Sequence, residues 1–351
     1  MPDAHPKIPA TPADFQRMNG EWIEPYNPET APAGLKYALY DTKARGPGTQ
    51  GNYWYALPDG YEADTSKTYP ILIWLHGGTA QGSQGAPAVA LYRTAMAAGL
   101  MPPTIIVLPQ ALPVGWYINS IDGKFPIEDI MVYDLIPHLD ATFRTNGVRG
   151  LEGFSMGGYG AAHLGLKFSE LFAGVSSIGP AILPSLANEP RERVWDTFRG
   201  DQGYYDQNHP AFLLREKKDV LRASGLRLRL LSGGDDTRLA EAIEVLSKLM
   251  DEVGVQHYRR DIVGAGHDFE LILNGIGSDA AGFWKDAFSR CGRQDGQDTH
   301  AGAVAPVCAA RALYNPLPKS DNDIGMFGFK PSDGQMERPD ALGKVNDLRV
   351  R

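Results

Sequence analysis

Gly153-Phe154-Ser155-Met156-Gly157 matches G-x-S-x-G, a spacing that holds a serine on a turn too tight for side chains two residues to either side. A serine hydroxyl is a weak nucleophile near neutral pH. It needs a base to take its proton and a third group to hold that base. Both residue types follow in the chain. Ser232-Gly233-Gly234-Asp235-Asp236 offers two carboxylates, and Gly264-Ala265-Gly266-His267-Asp268-Phe269 offers an imidazole on a glycine-rich loop. The order serine, acid, histidine suits nucleophilic acyl transfer, with either aspartate able to orient His267. The oxyanion formed on attack requires two preorganised donors. The backbone N–H of Met156, next after the serine, is one expected donor. The N–H of Gly78, in Leu75-His76-Gly77-Gly78, is the other.

These residues need elements to carry them. Residues 71–75 form a continuous apolar run that reads as a buried strand, and Gly78 lies just beyond it. Residues 35–40 and 52–57 read as short strands before it. Beyond it come a strand at 104–108, a helix over 126–143, a strand ending at Gly153, a helix after Ser155 and a strand at 172–176. Residues 226–231 form a strand that runs into the two aspartates. Leu239, Ile243, Leu246, Met250 and Val253 then share one face of a helix. A last strand at 257–262 precedes the histidine loop. This alternation predicts an α/β fold, a mostly parallel sheet with helices on both faces, and chemistry at the carboxyl ends of its strands.

Flanking and interrupting segments differ in composition. Seven of the first 34 residues are proline, which suits an extended arm over residues 1–45. The catalytic domain is expected over 46–290, with a lid-like insertion at about 180–220 that carries Trp195, Phe198, Tyr204, Tyr205 and Phe212. Residues 291–351 form a C-terminal extension without clear periodicity.

Composition excludes several classes. The chain has 351 residues with 34 Lys and Arg against 42 Asp and Glu, a net charge of -8 that repels a phosphate backbone, so no nucleic-acid partner is expected. The longest uncharged run, 94–121, contains Pro102, Pro103, Pro109 and Pro113, and no membrane span is expected. The first thirty residues show no basic start followed by an apolar core, so the default expectation is cytoplasmic. Secretion after removal of a leader is the alternative. Cys291 and Cys308 pair or stay free according to compartment and fit no four-ligand zinc pattern. His138, His209 and His257 show no metal spacing, His76 is expected to brace its loop, and His163 to face away from the serine turn. Gly275-Ile276-Gly277-Ser278-Asp279-Ala280 mimics a dinucleotide fingerprint but opens no βαβ unit, so neither metal nor organic cofactor is expected.

The segments Leu75-His76-Gly77-Gly78, Gly153 to Ala161 and Gly266-His267-Asp268-Phe269 resemble the putative-esterase family, which includes esterase D, S-formylglutathione hydrolases, feruloyl and acetylxylan esterases and mycolyltransferases. Trp116-Tyr117, Asp134-Leu135-Ile136-Pro137 and Asn208-His209-Pro210 extend the resemblance over roughly residues 50 to 290. It implies an α/β-hydrolase fold and a serine ester hydrolase that needs no cofactor. Acyltransferase activity through the same acyl-enzyme, or a noncatalytic binding role, are the alternatives. The family's acid lies in a G-x-x-D pattern that Gly233 to Asp236 satisfies, which favours Asp236, with Asp235 the alternative. Trp116, Tyr117 and Trp195 are expected beside the substrate, a small-molecule or carbohydrate-linked ester.

Overall fold

Strand β3 (Tyr69–Leu75), sequence YPILIWL, is buried at every position, which is why it reads as an unbroken apolar run rather than an alternation. Its parallel neighbours are β4 (Ile105–Pro109) on one side and β5 (Thr145–Phe154) on the other. Strands β6 (Gly174–Ile178), β7 (Arg227–Gly233) and β8 (Tyr258–Ile262) extend the sheet in parallel beyond β5. Beyond β4 come β2 (Gln50–Ala56) and β1 (Lys36–Asp41), both antiparallel to their neighbours. The order is β1-β2-β4-β3-β5-β6-β7-β8, the mostly parallel sheet expected of an α/β-hydrolase. The chain leaves β3 toward β4 and then returns to β5 on β3's other side. That reversal opens a crevice at the carboxyl ends of β3 and β5.

The computed structural model describes residues 22–186 and 197–289. Trp195, Cys291, Cys308 and the 291–351 extension lie outside the described residues, as do residues 1–21 of the expected arm. Strand β1 falls within the range expected for that arm. There the chain forms the edge of the sheet, and Glu24 ahead of it is buried, accepting a hydrogen bond from Trp54 Nε1 at 2.8 Å.

One face of the sheet is covered by α1 (Ala86–Ala97), α8 (Phe269–Gly275) and α9 (Asp279–Ser289), which bury Trp54, Trp74, Tyr92 and Trp284 in one cluster. Within that layer Arg229 and Glu152, both fully buried, pair at 3.0 Å across β7 and β5. Tyr92 Oη donates to Glu152 at 2.7 Å, and Arg229 also donates to Ser176 on β6. Burial raises the Glu152 carboxyl from its ordinary value despite the guanidinium beside it. Such a pair is better at fixing strand register than at adding net stability.

The other face carries α4 (Met156–Lys167), which follows the serine turn, and α7 (Ala240–Glu252), whose apolar stripe includes Ile243, Leu246 and Met250. The helix expected over 126–143 is interrupted. Helix α2 (Ile127–Asp129) passes through a π turn, Ile130–Leu135, into α3 (Ile136–Thr142). Pro137 has no N–H to offer the carbonyl four residues earlier, and its ring displaces that carbonyl, so the ladder widens just ahead of it.

The expected lid is, in its described part, a packed layer. Helices α5 (Gln202–Asn208) and α6 (Pro210–Ala223) rest on α4, with Phe198 and Tyr205 fully buried. Tyr159 Oη on α4 donates to the Asn208 carbonyl at 2.9 Å. Among the described residues no helix is long and apolar enough to cross a membrane.

Candidate active site

Ser155 sits between β5 and α4 with φ 58° and ψ -114°, a conformation that costs a non-glycine residue roughly 1–3 kcal/mol. Three backbone hydrogen bonds hold it there. Its N–H donates to Ile178 O, and its carbonyl accepts from the N–H groups of Tyr159 and Ala181, each at 2.9 Å. The flanking glycines are required by contact as well as by the turn. A Cβ on Gly157 would stand 2.1 Å from the Leu75 carbonyl oxygen, and one on Gly153 would stand 2.2 Å from the Gly157 oxygen. The serine hydroxyl makes no helix-capping bond.

It points instead to His267. The loop after β8 brings His267 Nε2 to 2.8 Å from Ser155 Oγ, and His267 Nδ1 to 2.6 Å from Asp236 Oδ2. An ionised carboxylate only accepts, so Nδ1 carries the proton toward Asp236 and Nε2 is left to accept from the serine. The Phe154 ring lies 4.6 Å from the imidazole, and Gly179 closes against its other ring atoms at 3.4 Å from a would-be Cβ. Asp236 is 8% exposed and the His267 side chain 28%, so the carboxylate is sealed while the imidazole faces the cleft. Asp235 is exposed and turns its backbone N–H to Ala265 O, which leaves Asp236 as the acid that holds the imidazole. Asp268 caps α8 through the N–H groups of Glu270 and Leu271.

The backbone N–H groups of Gly78 and Met156 have no acceptor among the described residues, and both residues line the cleft beside Ser155. The Gly78 loop is held from beneath. His76, fully buried, donates from Nδ1 to Gly77 O at 2.8 Å and accepts at Nε2 from the Ala111 N–H at 3.0 Å. Burial lowers the pKa of His76, which keeps the ring neutral and fit for that pair of bonds. Gln84 Oε1 takes the Gly77 N–H at 2.7 Å, and Thr79, at φ 62°, donates its N–H to Pro113 O.

The cleft above Ser155 has a volume of about 170 Å³, with walls that include Val114, Trp116, Phe154 and Ala181, and Arg238 at its side. Trp116 is therefore where the sequence places it, edge-on to Tyr159 at 5.2 Å. Tyr117 is not. Its ring is fully buried against Gly160 of α4, and its hydroxyl donates to the His76 carbonyl at 3.1 Å, so it supports the floor without reaching a substrate. A larger hollow of about 520 Å³ lies at the opposite ends of β7 and β8, beside Arg227, Tyr258 and Asp286. His257 lines it and bonds the Ser247 hydroxyl at 2.6 Å, but Ser247 is buried and is not part of the lining. Among the described residues no group of three or more His, Cys, Asp or Glu is assembled to hold a metal.

Sequence reasoning passed over Arg238 and Gln84, for which spacing offered no signal. It also missed the partners of His163. His163 faces away from the turn as expected, but it is fully buried between Glu128 of α2 (2.6 Å) and the Asn208 carbonyl of α5 (2.9 Å).

Comparison with known proteins agrees with this architecture. Residues 48–289 match the family described as Putative esterase. Esterase Rv1288 and Esterase MT1326 of two Mycobacterium tuberculosis strains are each 36% identical over 159 residues, 42% of this chain and 33% of theirs. The chain thus aligns with about a third of the length of these curated relatives. Among solved structures, a ferulic acid esterase superposes with a TM-score of 0.62 at 23% identity, over 72% of this chain and 98% of that one. An S-formylglutathione hydrolase from Agrobacterium tumefaciens gives 0.56 at 14% identity, over 73% and 93%.

Proposed function

The chain belongs to the Putative esterase family, and from that premise we propose that it hydrolyses carboxylic esters through a Ser155–His267–Asp236 triad and an acyl-enzyme. The observation that carries this reading is the unbroken line from Ser155 Oγ to His267 Nε2 and from His267 Nδ1 to Asp236, at 2.8 and 2.6 Å, beside two unengaged backbone donors.

Ser155 Oγ attacks the ester carbonyl while His267 Nε2 takes its proton. The carbonyl oxygen, now an anion, is held by the N–H groups of Gly78 and Met156. Asp236 stabilises the imidazolium and keeps its Nδ1–H in place. The tetrahedral intermediate collapses as His267 passes its proton to the departing alcohol oxygen, leaving the acyl group on Ser155. Water then enters, gives a proton to His267, and attacks the acyl carbonyl. Collapse of the second intermediate returns the proton to Ser155 and releases the acid. A small-molecule or carbohydrate-linked ester, of the acetyl or feruloyl kind, suits a cleft with apolar walls and an aromatic side at Trp116.

The test is hydrolysis of p-nitrophenyl acetate. Ser155→Ala lowers kcat by about 10⁴ or more, and a fluorophosphonate labels Ser155 of the unmodified protein, read by peptide mass. Turnover of the variant within tenfold of the parent, or an adduct on another residue, rejects the assignment.

A further inference from the structure

We propose that Arg238 reads an anionic group on the alcohol half of the ester, so that the cleft favours substrates whose leaving group carries a carboxylate. This inference rests on the esterase reading above and goes one step further, to the substrate class.

Arg238 lies on the turn between β7 and α7, two residues after Asp236, and is exposed at the side of the cleft. Among the described residues whose side chains line the cleft it is the only lysine, arginine, aspartate or glutamate. It differs from every other arginine among the described residues. Arg149, Arg199, Arg222, Arg227, Arg229 and Arg259 each pair with a carboxylate. Arg93 faces Asp59, while Arg45, Arg144, Arg215 and Arg260 bond backbone or tyrosine oxygens. The Arg238 guanidinium has no hydrogen-bond or ion-pair partner among the described residues, Asp235 three positions earlier included. In a chain of net charge -8, the described part of the cleft thus presents one unengaged cation.

A planar guanidinium presents paired donors that match a carboxylate, and it gains most where neighbouring walls are apolar. Val114, Trp116, Phe154 and Ala181 supply such walls. The side is set by the machinery. Gly78 and Met156 hold the carbonyl oxygen, whereas His267 delivers its proton to the leaving oxygen. Arg238 issues from the turn that holds Asp236 behind His267, so an alcohol departing past the imidazole leaves on the Arg238 side.

The experiment compares an isosteric pair, 4-acetoxybenzoate and the neutral 4-acetoxybenzamide, in the parent, Arg238→Ala, Arg238→Lys and Arg238→Glu proteins. The ratio of kcat/KM for anion over neutral falls about tenfold in Arg238→Ala, mostly through KM, as expected for one solvent-accessible charge-assisted contact. It is partly kept in Arg238→Lys and falls further in Arg238→Glu. Monophenyl succinate, with its carboxylate on the acyl half, shows no such dependence. An unchanged ratio in Arg238→Ala, or a dependence seen only with the succinate, overturns the proposal. A second arm needs no turnover. Ser155→Ala protein binds the unreactive 4-acetamidobenzoate more tightly than 4-acetamidobenzamide by calorimetry, and adding Arg238→Ala erases the preference. If the parent hydrolyses no ester, the esterase reading fails, and this binding arm still decides the role of Arg238.

Discussion

Among the described residues two histidine–carboxylate pairs share the same 2.6 Å separation, and they differ in what lies beyond the imidazole. His267 bonds Asp236 with Nδ1 and faces the Ser155 hydroxyl with Nε2, at the edge of an open cleft. His163 bonds Glu128 with Nε2 and the Asn208 carbonyl with Nδ1, and is sealed from solvent. Both of its nitrogens face oxygen atoms of the fold, so neither is turned to a donor that it could deprotonate. Lys167 adds its ammonium to Glu128 at 2.7 and 2.9 Å. One pair is open on the side where a hydroxyl waits, and the other is a clasp that ties α2, α4 and α5 together. A histidine beside an acid is thus a catalytic base only when its second nitrogen meets a donor it can deprotonate.

The largest expected effect separates the pairs by activity. His267→Ala lowers kcat on p-nitrophenyl acetate by about 10⁴, while His163→Ala, assayed on its folded fraction, stays within tenfold of the parent. A comparable loss in both variants, with circular dichroism showing both folded, would erase the distinction.

The next effect is on stability. Burial alone would raise the Glu128 carboxyl, but the His163 hydrogen bond and charge, with Lys167, outweigh it and hold the group at about 2. The unfolded chain therefore takes up this proton first as the pH falls. The stabilisation is complete above about pH 4.5 and is lost as the pH drops toward 2. Urea unfolding of Ser155→Ala protein should show Glu128→Gln lowering stability by about 3 kcal/mol at pH 7, with a smaller deficit at pH 3. An equal deficit at both pH values would count against the clasp.

The smallest effect concerns His209, which caps α6 by accepting the Ala211 N–H at Nδ1. Burial, with a contribution from Arg215, lowers its pKa to about 4. Its contribution to stability is present above about pH 6.5 and is lost as the pH falls toward 4, because the unfolded ring protonates first. His209→Asn keeps a capping acceptor and should flatten the stability profile between those limits by about 2 kcal/mol. A profile unchanged by the substitution would show that His209 does not contribute to it.

The readable part of this molecule is the part whose physics is local. The serine turn announces itself because Gly153 and Gly157 must be bare within five residues. The central strands announce themselves because burial on both faces leaves no polar alternation. Asp236 follows a strand whose end the buried Leu230 and Leu231 mark, and His267 stands out by its glycine-rich loop rather than by the charged strand before it. The clasp was unreadable because Glu128 and His163 meet across 35 residues of chain, and neither lies in a motif. The π turn hides in an apolar helical pattern that Pro137 interrupts only in the backbone. Tyr117 beside Trp116 suggests a shared wall, yet the chain carries both through left-handed backbone, φ 58° and 56°, which sends one ring under the sheet-side helix and leaves the other at the cleft. Arg238 has no pattern at all; its meaning comes from what it fails to touch.

The three backbone hydrogen bonds at Ser155 also decide how its side chain can move. With its amide and carbonyl both committed to Ile178, Tyr159 and Ala181, the main chain at that point is a fixed axle, and the side chain is a rotor of two single bonds. In the proposed reaction the oxygen would pass from hydroxyl to acyl carrier and back by turning about those bonds. On that proposal the same three bonds would hold the main chain in place through both halves of a turnover.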